Sequence, residues 1–120
     1  MRIGMVCPYS MDDPGGVQVH AIELSEQLIR RGHTVSLLAP ASLKTHVPDF
    51  VVRAGRSIPI PYNGSVARLS FTASAFHAVR RWLNNHEFDL VHIHEPNAPS
   101  VSMIALKMAK IPVVATYHAS

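Results

Sequence analysis

Arg2-Ile3-Gly4-Met5-Val6-Cys7 runs straight into Pro8-Tyr9-Ser10-Met11-Asp12-Asp13-Pro14-Gly15-Gly16-Val17. The opening run is short and almost wholly apolar, which fits a parallel strand covered on both faces. The prolines and the glycine pair behind it end the strand and open a loop. Val17, Ala21, Leu24, Leu28 and Ile29 then recur at helical spacing and form one apolar stripe. Glu26 stands four residues before Arg30, the favourable order for an exposed pair. Gly32 supplies a left-handed cap, and Thr34-Val35-Ser36-Leu37-Leu38-Ala39 is a second apolar run. Strand, glycine turn, helix, glycine and strand make a βαβ unit with a right-handed crossover.

Two further runs, Asp89-Leu90-Val91-His92-Ile93 and Ile111-Pro112-Val113-Val114-Ala115-Thr116, read as strands. From Pro40 to Ser70, Pro48, Pro59, Pro61, Gly55 and Gly64 interrupt short apolar pieces, so short strands and loops are expected there. A second helix is predicted from about Thr72 to Asn84. Ala75, Val79, Trp82 and Leu83 lie on one side of it, and His77, Arg80, Arg81 and Asn84 on the other. A third begins near Pro99, a favoured first-turn residue, and carries Val101, Ile104, Ala105 and Met108. Strands alternating with helices mean an α/β fold with a parallel sheet.

The chain has 120 residues, one domain's worth, with 48% hydrophobic and 16% charged residues, a composition that packs rather than stays disordered. Its single cysteine excludes an internal disulfide framework and a cysteine-rich metal site. No apolar run approaches the ~20 residues of a membrane-spanning helix, and the apolar run before Pro8 is too short for a signal peptide, so a cytoplasmic protein is expected. A net charge of +3 permits an anionic partner without requiring nucleic acid, and none is expected.

Parallel sheets bind ligands beyond the carboxyl ends of their strands. The loops to examine are therefore Pro8 to Val17, the segment from Pro40, His94 to Pro99, and Tyr117 to Ser120. Gly15 and Gly16 before a helix let a phosphate approach bare N–H groups at its positive end; the same pair also suits an ordinary tight turn. The loop is not a G-x-x-x-x-G-K-[ST] sequence, which excludes P-loop hydrolysis. Without G-x-G-x-x-G spacing or an acidic residue after Ala39, an NAD enzyme is disfavoured. Asp12 and Asp13 are a weak candidate for a magnesium pocket.

The chain holds 8 histidines. His92, His94, Glu95 and His118 stand near strand ends, but no H-E-x-x-H helix is present and no metal site is expected. His92 reads as a buried, hydrogen-bonded core histidine. His118 stands where a catalytic or sugar-contacting group belongs in such a sheet. Pro59 to Arg68 gathers phenol, amide and guanidinium groups. Arg68 suits a phosphate, although the run also reads as a surface loop with a glycine turn. The basic side of the second helix is either a plain solvated face or a contact with anionic lipid.

Cys7-Pro8-Tyr9-Ser10, Pro14-Gly15-Gly16-Val17, Arg31-Gly32-His33 and Asp89-Leu90-Val91-His92-Ile93-His94 together resemble the family 4 retaining glycosyltransferases of GT-B fold. Two narrower runs, Ile58 to Arg68 and His94-Glu95-Pro96-Asn97-Ala98-Pro99-Ser100, are similar to members of that family that add mannose to phosphatidylinositol. The resemblance covers essentially the whole chain. It implies a Rossmann-like parallel sheet flanked by helices, part of the N-terminal, acceptor-side domain over residues 1–120, without the C-terminal nucleotide-sugar domain. It implies transfer from GDP-mannose with retention and no permanently bound cofactor.

The same resemblance gives the residues roles. Gly16 would admit the donor diphosphate. Tyr9, Asp13, Gln18, Tyr62, Asn63 and Arg68 would line the acceptor pocket, and His118 would contact the transferred mannose. His77, Arg80 and Arg81 would rest on the anionic inner face of the plasma membrane. These residues alone are expected to transfer no sugar. The competing expectations are a family 4 transferase with another acceptor, and a non-catalytic anion- or lipid-binding module.

Overall fold

A computed structural model describes residues 1–13, 15–55, 58–62, 65–69, 73–97 and 99–118, with 58–62 and 65–69 described through their backbone. Its elements run β1 (Arg2–Val6), α1 (Gly16–Arg30), β2 (Thr34–Ala39), β3 (Val51–Arg53), β4 (Ile58–Tyr62), β5 (Ser65–Leu69), α2 (Ala73–Asn85), β6 (Leu90–His94), α3 (Val101–Met108) and β7 (Val113–Thr116). Five strands form a parallel sheet in the order β3-β2-β1-β6-β7. β4 and β5 make a separate antiparallel pair. This is the α/β, Rossmann-like arrangement the sequence implied.

The period of two along each strand divides the apolar runs between two cores. On one face Ile3, Met5, Cys7, Val35, Leu37 and Ala39 pack with Ala21 of α1. On the other, Val6, Leu38, Val91 and Ile93 pack with Val79 and Trp82 of α2 and Val101, Ile104 and Ala105 of α3. Trp82 is buried against the sheet, and its indole N–H donates to Ser36 Oγ at 2.9 Å. Gly4 makes this approach possible: a β-carbon there would lie 2.7 Å from the Trp82 ring.

Helix α1 ends as its sequence dictates. Gly32 takes φ 95°, its N–H donates to Ile29 O, and that of His33 donates to Leu28 O, which together form a Schellman cap. Arg2 and Glu87 form a surface ion pair at 3.0 Å, whereas among the described residues Glu26 and Arg30 close none.

Several boundaries differ from the sequence reading. β1 stops at Val6, although the Cys7 N–H still donates to Leu38 O. β6 begins at Leu90, not Asp89, and extends to His94. Asp89 instead braces the start of β1, where its carboxylate accepts the Arg2 N–H at 2.7 Å. β7 begins at Val113 because Pro112 has no N–H to give the ladder, though its carbonyl accepts from Val91. Pro99 lies before α3, not in its first turn. Ser100 is the cap, its Oγ accepting the Ser102 N–H. Thr72, the expected start of α2, lies outside the described residues.

Candidate functional site at the carboxyl ends of the strands

The loop after β1 turns back over the sheet. Its Met11 N–H donates to Pro40 O at 2.8 Å, and the Asp12 N–H donates to Ser10 Oγ. Gln18, in the first turn of α1, folds under this loop. Its amide nitrogen donates to Ser10 O at 3.1 Å and to Asp13 O at 3.2 Å. The helix N-cap, Gly15, is extended and supplies no side-chain acceptor, which leaves the positive end of the helix without a side-chain cap. A β-carbon at Gly16 would meet nothing within 4 Å, and Gly16 does not have positive φ. Neither packing nor backbone conformation within the described residues demands glycine there.

The Asp12 carboxylate is engaged by the neighbouring loop. Its Oδ1 accepts from Thr45 Oγ1 at 2.5 Å and from the Ser42 N–H at 3.0 Å. These bonds hold its carboxyl below the usual range, the Thr45 hydroxyl most. Arg53 closes the clamp from β3, donating to Ser42 O at 3.1 Å and Thr45 O at 2.7 Å. The loops after β1 and β2 are thus fastened to each other.

On the other side of β1, four imidazoles gather. His94 ends β6 fully buried, although the sequence reading gave that role to His92. Both lie on the α1 face of β6; His94 is covered by His20, His118 and Met5, whereas His92 stays half-buried. The His92 ring is stacked on His94 with centroids 4.4 Å apart, and its Nε2 is 2.6 Å from Thr116 Oγ1. The His118 ring lies edge to edge with His94, near-parallel to it with centroids 5.3 Å apart, and His20 of α1 meets both in T-shaped contacts, at 5.7 Å from His94 and 5.5 Å from His118. Burial, then the neighbouring imidazoles His92, His118 and His20, depress His94 to about 3. His92 is lowered for the same first reason, with His20 and His118 adding to it.

Glu95 turns the chain away from β6 with φ 52°, a conformation that costs a residue with a β-carbon ~1–2 kcal/mol. Two bonds to the β7 end compensate. The Glu95 N–H donates to Thr116 O at 2.9 Å, and its carboxylate accepts the His118 N–H. The turn thereby ties the His118 backbone to the end of β6.

The structure brings Tyr9, Asp13, Gly16, Gln18 and His118 to the carboxyl ends of the strands, as the sequence reading expected. Tyr62 ends β4 and Arg68 lies on β5 opposite Pro59, in the separate hairpin; Asn63 lies outside the described residues. His77, Arg80 and Arg81 are exposed on α2, where Arg81 donates to His77 Nε2 at 3.1 Å. The sequence reading missed His20, Phe76 and the burial of His94. His20 follows Gly16 by one helical turn and shares its face, which was a usable signal. Phe76 is 47% exposed one turn before Arg80.

Among the described residues no three His, Cys, Asp or Glu are arranged to hold a metal ion, and no helix is long and apolar enough to cross a membrane. A cavity of about 400 Å³ lies at the opposite end of the sheet, lined by Leu83, Phe88, Met108, Lys110 and Ile111 among others. It faces the C-terminal ends of α2 and α3, with Arg80 and Lys110 in its lining.

The model of Glycosyltransferase Family 4 matches residues 14–120. The chain is 59% identical over 120 residues to the phosphatidyl-myo-inositol mannosyltransferase of Mycobacterium leprae, covering 100% of this chain and 32% of that protein. The protein of the same name from Mycobacterium tuberculosis is 58% identical over 120 residues, with 100% and 32% covered. That of Propionibacterium freudenreichii is 44% identical over 125 residues, with 98% and 33% covered. The chain therefore spans about a third of the length of these curated relatives.

Proposed function

Because the chain belongs to glycosyltransferase family 4, we propose that it is the acceptor-side part of a retaining transferase that moves mannose from GDP-mannose to the inositol ring of phosphatidylinositol. The observation that carries this reading is an identity of 58–59% with relatives named for that sugar and that acceptor, over an alignment that spans the whole chain. The strand-end geometry supports it: an uncapped helix start beside Gly16, a braced loop holding Tyr9 and Asp13, and His118 across from them.

In this reading the donor diphosphate lies against Gly16 and the positive end of α1, which stabilises charge as it develops on the leaving phosphate. The acceptor pocket is formed by Tyr9, Asp13, Gln18, Tyr62, Asn63 and Arg68, with Arg68 on the lipid phosphate. Gln18 has its amide donors committed to the loop, so it offers its carbonyl and a fixed loop shape. An inositol hydroxyl oxygen forms the new bond to the anomeric carbon as the bond from that carbon to the phosphate oxygen breaks. The departing phosphate takes the hydroxyl proton, and the new bond forms on the face the phosphate leaves. His118 contacts the mannose. The nucleotide-sugar domain belongs to the remainder of the enzyme.

The exposed side of α2 is the surface proposed to rest on the inner face of the plasma membrane. Arg80 and Arg81 each contribute on the order of 1 kcal/mol near anionic lipid, and Phe76 adds an apolar contact.

The test is a transfer assay with the complete polypeptide, labelled GDP-mannose and vesicles containing phosphatidylinositol. The expected product is mannosylated phosphatidylinositol with the α-configuration kept. Transfer to a different lipid or to a free sugar, with phosphatidylinositol untouched, would contradict the reading.

A further inference from the structure

His94 has no contact with solvent and two polar neighbours of opposite kinds. Its Nε2 is 3.1 Å from Met5 Sδ, and its Nδ1 is 3.1 Å from His118 Nε2. A thioether sulfur accepts and never donates. A neutral imidazole has one N–H and one lone pair. With the proton on Nδ1, the Nε2 lone pair would face the sulfur lone pairs at contact distance. With the proton on Nε2, the ring donates to Met5 and its Nδ1 lone pair accepts from His118. Only the second pattern satisfies both contacts.

We propose that His94 is the positioning residue of His118: protonated on Nε2 toward Met5, it accepts the His118 Nε2–H on Nδ1 and so dictates which nitrogen of His118 carries the proton. The lone pair of a neutral His118 is then on Nδ1. This inference rests on the role given to His118 above and assigns its tautomer. A neutral His94 is required, and burial together with the surrounding imidazoles keeps it neutral at physiological pH.

The neighbours hold the pair without competing for it. His92 is stacked on His94 and directs its Nε2 to Thr116 Oγ1. His20 meets both rings edge-on. Ser102 Oγ donates to the His94 carbonyl at 2.6 Å, anchoring the end of β6 from α3. The Glu95 carboxylate holds the His118 backbone N–H. Backbone and ring of His118 are therefore fixed by consecutive residues of one strand end.

Long-range proton–nitrogen correlation spectra of the unaltered chain, recorded at neutral pH, read the tautomers directly. The expected result is a protonated Nε2 and an unprotonated Nδ1 for His94, with a protonated Nε2 for His118. A His94 proton on Nδ1, or an unprotonated His118 Nε2, would overturn the proposal. His94→Asn places an amide oxygen near the former Nδ1, and the His118 signature is expected to survive. His94→Phe removes the acceptor, and His118 is expected to become a mixture of tautomers.

In the complete polypeptide, His94→Phe is expected to lower kcat on the order of 10- to 100-fold, the range found when the partner that orients a metal-bound histidine is lost. His94→Asn is expected to recover most of that loss, with the KM for phosphatidylinositol little changed in either. Equal kcat in His94→Phe and the parent also overturns the proposal. His118→Ala separates the two readings: full activity there defeats the role of His118 in transfer, whereas the tautomer spectrum of the parent stands or falls by itself.

Discussion

Over the face of the sheet that carries Gly4, Val6, Leu38, Val91 and Ile93, helices α2 and α3 close an apolar layer with the Trp82 ring seated on a glycine. Over the other face α1 covers β1 and β2, and β6 brings half-buried His92 and buried His94 to the side near β7, where side chains rather than a helix cover the strand ends. Both faces are built from the same strands with the same alternation. The difference lies in where the helices sit. A helix displaced toward one edge leaves the strand ends at the other edge to be finished by polar side chains, and here these are imidazoles with the carboxylate of Glu95. The closed face holds the fold, and the partly open face holds groups whose protonation and orientation can matter to a reaction.

If that contrast is right, the largest loss comes from the closed face. Trp82→Ala is expected to lower unfolding stability by about 3–5 kcal/mol, equally at every pH, because it removes a buried ring and leaves a cavity. Urea titration at two pH values checks both statements. Gly4→Ala tests the same contact from the opposite side. A β-carbon 2.7 Å from the Trp82 ring forces repacking, with an expected cost of about 1–3 kcal/mol. A neutral result would mean that the ring has room to move.

The partly open face is expected to answer to pH. His94 has its ordinary value of 6.5 when unfolded and about 3 when folded. The unfolded chain therefore takes up a proton that the folded chain refuses. The stability contributed is fully present above about 6.5 and declines as pH falls toward 3, by ~2 kcal/mol at pH 5. His92, also lowered, adds in the same direction. His94→Asn is expected to flatten the profile, and a parent profile already flat from neutral pH to 5 would contradict a buried neutral His94.

The smallest effect is expected at the clamp between the first two loops. Thr45→Val removes the strongest bond to the exposed Asp12 carboxylate and is expected to cost at most about 1 kcal/mol. Asp12 is lowered when folded, so its contribution is present above the ordinary carboxylate range and is lost as pH falls through the folded value. The Thr45→Val profile is therefore expected to be shallower in acid than that of the parent.

Much of this was legible in the sequence because periodicity and punctuation agreed. The stripe of Val17, Ala21, Leu24 and Leu28 with Gly32 behind it marked α1 correctly, although Ile29, read into the same stripe, is exposed, and the short apolar runs marked the parallel strands. The opposed sides of α2 read correctly from Ala75, Val79 and Trp82 against His77, Arg80 and Arg81. Strand ends were less legible. Whether β6 stops at Ile93 or His94 depends on tertiary hydrogen bonds, and the burial of His94 rather than His92 depends on rings that reach it from α1 and from the end of β7. The clamp around Asp12 was illegible because Thr45 and Arg53 reach it through space. The pairing of His94 with His118 joins residues 24 apart in sequence, and only the β6–β7 register reveals it.

The acceptor site proposed for an inositol phosphate lies at the carboxyl ends of these strands. The most direct measurement is a titration of the chain with inositol 1-phosphate followed by backbone amide shifts, alongside its Arg68→Ala variant. Saturable shifts are expected at Tyr9, Asp13, Gln18 and His118, weakened or abolished in the variant. A folded chain with no saturable shifts, or with shifts confined to the cavity near Lys110 at the opposite end of the sheet, would contradict it.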